Sequence, residues 1–168
     1  MDATNYLVQI AAAMEEVKLE AILIGNAAAA LQGAPVTTMD LDFFYRDTAV
    51  NRKKLGLVAD LVSAKLTQPS PDLSSVFRLD YGSVDFHVDF LPIAAGISSF
   101  ASLRSRATIV EIEGRSLSVA SLRDIILSKR SAGRAKDKAV LDVLEKTLTE
   151  INAQADQGRR TRAISQGE

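Results

Sequence analysis

The spacing of apolar residues along the chain predicts helices and strands in mixed order. Apolar residues recur at steps of three and four in four stretches, as in helices with one buried face, and two shorter segments are also predicted to be helical. The predicted helices are 2–18, a short Ala-rich helix before Gly33, 49–66, 100–106, 122–131 and 135–155. The predicted strands are 20–24, 39–45, 74–80, 83–91, 108–112 and 116–119. This mixture is typical of an α+β fold.

Two aspartates lie inside one of the predicted strands. Asp40 and Asp42 alternate with Met39 and Leu41, so both carboxylates point to the same face of the strand. Their Cα atoms are about 6.6 Å apart, given a rise of about 3.3 Å per residue. Two such side chains can bind one cation or bridge two cations about 3.5–4 Å apart. The alternative is that both carboxylates simply face water.

A second strand also alternates between acidic and apolar residues. Asp85, His87 and Asp89 share one face of the predicted strand 83–91, and apolar residues occupy the other. One of the two acids could be a third metal ligand, with Asp89 preferred over Asp85. The alternative is again a surface that faces water, and His87 is more often a bystander than a base in such a place.

The sequence between the first strand and the Ala-rich helix favours the binding of an anion. Gly25 and Asn26 stand where the strand passes into the helix. Glycine lets a phosphate approach the backbone, asparagine is a good N-cap, and a helix N-terminus offers free N–H groups. An ordinary turn would use the same residues. The glycine patterns of the P-loop and of the dinucleotide-binding fingerprint are both absent. An anion-binding turn next to paired carboxylates suits a metal-bound nucleoside triphosphate.

Thr38 and a basic segment add candidate phosphate contacts. Thr38 could bind phosphate or only shape the loop before Asp40. Five basic residues lie between Lys129 and Lys138, at the junction of the last two predicted helices. Taken alone, such a segment is most often a solvated turn. Cationic side chains near a polyphosphate are the functional alternative.

Composition narrows the class of protein. The chain has 168 residues, of which 47% are hydrophobic, with no cysteine, one histidine and a net charge of −1. Disulfides and thiolate sites are therefore excluded, and a histidine-based zinc site is disfavoured. No apolar run is long enough to span a membrane, and the acidic start does not resemble a signal peptide, which predicts a cytoplasmic protein. We expect one domain over 1–155 and a disordered tail over 156–168.

These motifs together resemble the nucleotidyltransferase superfamily of the polymerase-beta type, and most closely its small bacterial AbiEii-like and minimal members. The resemblance rests on Gly25-Asn26, where the family has Gly-Gly or Gly-Ser, and on the Asp-Leu-Asp at 40–42. It also rests on the segment 88–91, Val-Asp-Phe-Leu, and on the basic segment 129–137. The resemblance implies a mixed β-sheet flanked by helices, with further helices at the C-terminus.

The resemblance also implies roles for individual residues. Asp40, Asp42 and Asp89 would bind two Mg²⁺ ions, with Mn²⁺ as a substitute, and Lys129 would contact the triphosphate as a further catalytic residue. The residues expected to bind the nucleotide are Gly25, Asn26, Thr38, Arg134, Lys136 and Asp137, the last of which would position one of the basic side chains.

The expected activity is transfer of a nucleoside monophosphate from a triphosphate to a hydroxyl. The acceptor would be a protein, the 3′ end of a tRNA or a small molecule, in a toxin–antitoxin or defence system with a cognate partner protein. The alternative is a degenerate module that binds a nucleotide or a partner protein without turnover. Nothing in the chain predicts a contact with a membrane.

Overall fold

A computed structural model describes residues 3–71, 75–82 and 86–165. The helices in the described residues are α1 Ala3–Val17, α2 Gly25–Ala30, α3 Ala49–Leu61, α4 Phe100–Arg104, α5 Leu122–Ala132 and α6 Ala135–Ser165. The strands are β1 Ala21–Ile24, β2 Asp40–Tyr45, β3 Lys65–Thr67, β4 Phe77–Asp80, β5 His87–Leu91, β6 Thr108–Ile112 and β7 Arg115–Val119. Among the described residues, no helix is long and apolar enough to cross a membrane.

The strands form one mixed sheet in the order β3-β4-β5-β2-β1-β7-β6. Strand β2 lies between β1, to which it is antiparallel, and β5, to which it is parallel. The pair β1–β7 is also parallel, and the three remaining pairs are antiparallel. The predicted α+β fold with a mixed sheet and C-terminal helices is confirmed. The predicted strands 74–80 and 83–91 correspond to β4 and β5, which pair antiparallel.

The core lies against the central strands of the sheet. Phe43 of β2 and Phe90 of β5 are fully buried, and their rings stack with centroids 5.2 Å apart. Helix α1 contributes the buried Ile10 and α3 the buried Leu55, and these two helices contact each other. Helix α2 packs against β1, β2 and α5, and α5 packs against α6. Helices α2, α5 and α6 therefore lie beside the end of β1 and the start of β2.

Helix α3 is shorter than its apolar spacing predicts. It ends at Leu61 and not at Leu66, because Val62 leaves helical geometry and Ser63 adopts a φ of +54°. The following residues Lys65–Thr67 form β3, which pairs antiparallel with β4 and sets Leu66 opposite Leu79. Pairing with a neighbouring strand overrides the local helical preference here, because it packs the partly buried Leu66 against the sheet.

Helix α6 is longer than predicted. It continues past Ala155 to Ser165, so residues 156–165 are helical where their composition predicts disorder. This stretch contains Ala, Gln and Arg, which favour helix even without a buried face. The division of the chain into one domain and a tail stays a prediction.

Candidate functional site

A cavity of about 550 Å³ opens at one edge of the sheet. The end of β1, the start of β2 and the start of β5 meet there, because β1 is antiparallel to β2 and β5 is parallel to it. The junction of α5 and α6 closes the opposite side. Of the predicted site residues, the cavity is lined by Gly25, Asn26, Asp40, Asp42, Asp89, Lys129, Arg134, Lys136 and Asp137. Thr38 is the predicted site residue that does not line it.

The three predicted carboxylates are brought together by strand register. Asp42 of β2 pairs with Asp89 of β5, and Asp40 lies two residues earlier on β2. Burial and the charges of Asp40 and Asp89 raise the pKa of Asp42 to about 6, although Lys136 and Lys129 act in the opposite direction. The negative charge on Asp42 is therefore costly unless a cation comes close.

Gly25 lies directly against this carboxylate. Its φ is +73°, a left-handed conformation that favours glycine. A Cβ atom at this position would lie 3.0 Å from Oδ2 of Asp42. Glycine is thus favoured here by the backbone conformation, and a Cβ would crowd the carboxylate of Asp42.

Asn26 does not cap helix α2, so that prediction is wrong. The helix begins one residue earlier, at Gly25, with Ile24 in the N-cap position and no capping side chain. The Nδ2 of Asn26 donates to the carbonyl oxygen of Thr37 at 3.3 Å. Its Oδ1 is buried and lacks a hydrogen-bond partner among the described residues. Asn26 therefore braces the loop before β2 and leaves one polar atom unsatisfied at the cavity.

Thr38 serves the loop and not the cavity. Its hydroxyl donates to the backbone oxygen of Asp40 at 2.6 Å and lies 3.2 Å from Oδ1 of the same residue. Of the two alternatives for Thr38, the structure therefore shows the contact that shapes the loop and orients Asp40.

The basic side of the cavity is organised by one buried carboxylate. Asp137 is 1% exposed and accepts hydrogen bonds from Nε of Arg134 at 2.6 Å and from Nζ of Lys129 at 3.4 Å. Burial alone would raise the pKa of Asp137, but the hydrogen bonds and charges of Arg134 and Lys129 outweigh it and lower the pKa. Gly133, with a φ of +63°, ends α5 and lets α6 begin at Ala135. Asp137 can thus hold two cationic groups at the cavity wall.

Arg78 of β4 is a cavity residue that sequence reasoning missed. Its Nε and Nη2 donate to the two carboxylate oxygens of Asp89, at 2.7 Å and 2.8 Å. The pair is formed across the hairpin, because Arg78 and Asp89 are register partners. A two-residue turn at 81–82 would instead set Arg78 opposite Asp85, so the sequence alone did not indicate this contact.

The apolar wall of the cavity was also missed. It consists of Ile24, Leu91, Ile93, Ala94, Ala95, Ile97, Ala120 and Ile125. Ile93 is 78% exposed. Part of the signal was present in the sequence, in the apolar residues that follow β5. Acidic, basic and apolar side chains thus all line the cavity.

The donor set fits a hard divalent cation in part. Asp40 and Asp42 offer oxygen ligands of the kind Mg²⁺ prefers. Burial and the charges of Asp40 and Asp89 raise the pKa of Asp42 despite the opposing charges of Lys136 and Lys129. Asp89 has both oxygens engaged by Arg78. Accordingly, within 3–71, 75–82 and 86–165 no group of three acidic, histidine or cysteine side chains is arranged to hold a metal ion. The alternative third ligand, Asp85, lies outside the described residues.

No protein-family model and no curated protein matches the chain. Solved structures do resemble it over most of its length. The solution structure of the antibiotic-resistance factor ANT(2'')-Ia matches with a TM-score of 0.64 and 17% identity, over 99% of this chain and 97% of that one. The crystal structure of ANT(2'')-Ia in complex with adenylyl-2''-tobramycin matches with a TM-score of 0.62 and 17% identity, over 99% of each chain.

A third similar structure is that of the lincosamide antibiotic adenylyltransferase LnuA, lincomycin-bound. It matches with a TM-score of 0.59 and 13% identity, over 88% of this chain and 98% of that one. At such identities a structural likeness shows the fold. The chain therefore has the nucleotidyltransferase fold that its motifs predict, and the AbiEii-like subtype stays a prediction.

Proposed function

We propose that the protein is a Mg²⁺-dependent nucleotidyltransferase that moves a nucleoside monophosphate from a nucleoside triphosphate to a hydroxyl. The observation that carries the proposal is the cavity itself. It sets Asp40 and Asp42 opposite the basic groups of Lys129, Arg134 and Lys136. A metal-bound triphosphate needs both kinds of group within one site, with anionic ligands for the cation and cationic side chains for the phosphates.

The three carboxylates would bind the metal ion and assist the attack of the acceptor hydroxyl. Asp40 and Asp42 would hold Mg²⁺, joined by Asp89 when its oxygens are free, and Mn²⁺ would substitute. Bound there, Mg²⁺ would neutralise phosphate charge and lower the pKa of the attacking hydroxyl. Asp42 would accept the hydroxyl proton as the acceptor oxygen bonds to the α-phosphorus.

The basic groups would serve the leaving group. As the new O–P bond forms, the bond from the α-phosphorus to the bridging oxygen breaks and pyrophosphate leaves with the bonding electrons. Lys129, held by Asp137 and 12% exposed in its side chain, is placed to offset that developing charge. Arg134 and Lys136 would contact phosphate or ribose, and Gly25 and Asn26 would let phosphate oxygens approach the backbone.

A small-molecule hydroxyl is the acceptor best supported. Two of the similar solved structures, by their names, contain an adenylylated or bound antibiotic, and the apolar wall around Ile93 offers surface to an organic acceptor. A protein or tRNA acceptor, and a place in a toxin–antitoxin or defence system with a partner protein, rest on the sequence resemblance alone.

The test follows label from each α-labelled nucleoside triphosphate in the presence of Mg²⁺. The acceptors are an aminoglycoside and lincosamide panel, total tRNA and cell lysate, assayed separately. The double variant Asp40→Asn/Asp42→Asn removes the ligands, and Asp60→Asn, an exposed residue of α3, is the matched control. We expect label in one acceptor class with the wild type and the control, and none with the double variant. Equal labelling by all three proteins would refute the assignment.

A catalytically degenerate module is the second candidate, and the Arg78–Asp89 pair favours it. A carboxylate with both oxygens engaged by guanidinium does not bind a metal ion in that state. Such a module would bind nucleotide or a partner protein without turnover. A rise in melting temperature with Mg²⁺ and triphosphate, without release of pyrophosphate, would select the module over the enzyme.

A further inference from the structure

Arg78 places a positive charge at the carboxylate cluster formed by Asp40, Asp42 and Asp89. Its guanidinium engages both oxygens of Asp89 in the two-point geometry typical of strong arginine–carboxylate pairs. Its positive charge therefore offsets the negative charge of Asp89.

The Arg78–Asp89 pair differs from an ordinary exposed ion pair between neighbouring strands. Opposite charges facing each other on antiparallel strands are common and contribute little when exposed. Here, however, the guanidinium lines the cavity, and its side chain is 37% exposed against 17% for that of Asp89. Asp89 is also the strand neighbour of Asp42. Whatever binds Asp89 from the cavity must compete with Arg78.

Two arginine–carboxylate pairs elsewhere in the described residues differ in this respect. Arg52 binds Asp47 with similar two-point geometry, and Arg104 contacts Glu20, but none of these four residues lines the cavity. Arg78 is thus the arginine whose partner belongs to the proposed metal site.

We propose that Arg78 is an internal countercation that competes with a divalent cation for Asp89. The inference rests on the proposed function, because it assigns Asp89 to the metal site of that function. Without a cation, Arg78 neutralises the third carboxylate and keeps the cluster from binding metal tightly. Binding of the cation through all three aspartates requires Arg78 to leave Asp89, and its guanidinium then faces the cavity. Arg78 is therefore a positioning residue that sets the affinity for metal.

The experiment measures binding of Mn²⁺ alone, by the electron paramagnetic resonance signal of the free ion, with no nucleotide present. The proteins are the wild type, Arg78→Gln, Arg78→Lys, Asp89→Asn and the double variant Arg78→Gln/Asp89→Asn. Arg104→Gln is the matched control, since it removes one arginine and one ion pair away from the cavity. Melting curves verify that each variant is folded, and Arg78→Lys keeps the charge if Arg78→Gln is poorly folded.

We expect Arg78→Gln to bind Mn²⁺ about tenfold more tightly than the wild type, because one competing charge is removed. Arg78→Lys should lie between the two, since lysine lacks the two-point geometry. Arg104→Gln should match the wild type. The gain should vanish when Asp89 is also replaced.

Two results would overturn the inference. One is equal affinity of Arg78→Gln and the wild type, including the case in which neither binds Mn²⁺. The other is a gain that persists in the double variant, because the effect would then not pass through Asp89. Label transfer by the wild type is a separate readout, so transfer without the gain refutes the role of Arg78 alone. The gain without transfer refutes only the enzymatic function.

Discussion

Asp42 of β2 and Asp89 of β5 are direct neighbours in register on adjacent parallel strands. Their Cα atoms are therefore separated by about one strand spacing, 4.8 Å. On the other side of Asp42, β1 runs antiparallel and ends at Ile24, and the next residue, Gly25, leaves room for the Asp42 carboxylate. Asp42 is thus the central carboxylate of the cluster formed by Asp40, Asp42 and Asp89. The charge of Asp89 lies on one side of it, and the space in front of Gly25 lies on the other.

Replacement of Asp42 by asparagine should abolish most nucleotidyl transfer. The amide keeps the size of the side chain but loses the anionic ligand and the proton acceptor. We expect the transfer rate to fall by at least about 10²-fold, the scale on which single electrostatic contacts act in active sites. Single-turnover label transfer measures the rate, and Asp60→Asn should stay at the wild-type rate. A wild-type rate in Asp42→Asn would remove this residue from the mechanism.

The raised pKa of Asp42 predicts a definite dependence of stability on pH. The pKa is 3.8 as the ordinary value and about 6 in the folded chain, so the folded state binds more protons between these values. The free energy of unfolding attributable to Asp42 therefore falls as the pH rises from about 4 to about 6, and stays low above. Affinity for Mg²⁺ should change in the opposite direction and weaken as the pH falls through about 6.

The variant Asp42→Asn tests how the charge of Asp42 contributes to the free energy of unfolding. At pH 7 without metal it should be more stable than the wild type, on the order of 1–3 kcal/mol for a shift of this size. The difference should shrink as the pH approaches 4, since both side chains are then neutral. Urea unfolding at several pH values measures it. A difference independent of pH would show that burial and the neighbouring carboxylates do not destabilise the charged form.

The local part of the site was predictable from the sequence. The alternation around Asp40 and Asp42 depends only on the two-residue period of a strand, and the glycine that begins α2 depends on local backbone geometry. The partner of Asp89 was not predictable in the same way. It depends on how many residues separate β4 from β5, and the pairing of Asp80 with His87 shows a longer connection than a two-residue turn.

Contacts between distant elements explain the other differences. The end of α3 is decided by the pairing of β3 with β4, which no local preference around Leu66 encodes. The role of Asp137 could be predicted only as a contact with one basic side chain. Its actual position, buried between Lys129 and Arg134, results from how α6 leaves Gly133 after α5.

Replacement of Gly25 by alanine should affect stability and site together. Alanine would have to adopt the left-handed φ of +73°, and its Cβ would lie 3.0 Å from Oδ2 of Asp42. We expect a loss of about 1–2 kcal/mol in stability, together with weaker metal binding. Gly33→Ala is the matched control, because Gly33 has a φ of +90° and nothing within 4 Å of the added atom.

Comparison of Gly25→Ala with Gly33→Ala separates the effect of backbone strain from the effect of the close approach to Asp42. Gly33→Ala should lose stability through strain but bind Mn²⁺ as the wild type does. Urea unfolding and Mn²⁺ titration of both variants provide the two readouts. If Gly25→Ala bound Mn²⁺ with wild-type affinity, the contact between Gly25 and Asp42 would have no bearing on the site.

Replacement of Asp137 by alanine should weaken nucleotide binding although Asp137 need not touch the nucleotide. The change leaves Lys129, 12% exposed in its side chain, without its carboxylate and frees Arg134 to move. We expect a loss on the order of 2 kcal/mol in stability, because a cation in a largely buried setting is left unpaired. Triphosphate affinity should fall as well, since Lys129 and Arg134 are no longer held at the cavity wall.

Asp124→Ala is the control that distinguishes loss of a buried acid from loss of the site. Asp124 is 5% exposed, accepts hydrogen bonds from Arg106 and from the Ser121 hydroxyl, and does not line the cavity. This variant should also lose stability, yet it should bind triphosphate with wild-type affinity below its unfolding temperature. Calorimetric titration with a nucleoside triphosphate and Mg²⁺ measures both. Equal affinities in Asp137→Ala and Asp124→Ala would mean that Asp137 supports the fold alone, and that Lys129 and Arg134 reach the phosphates without it.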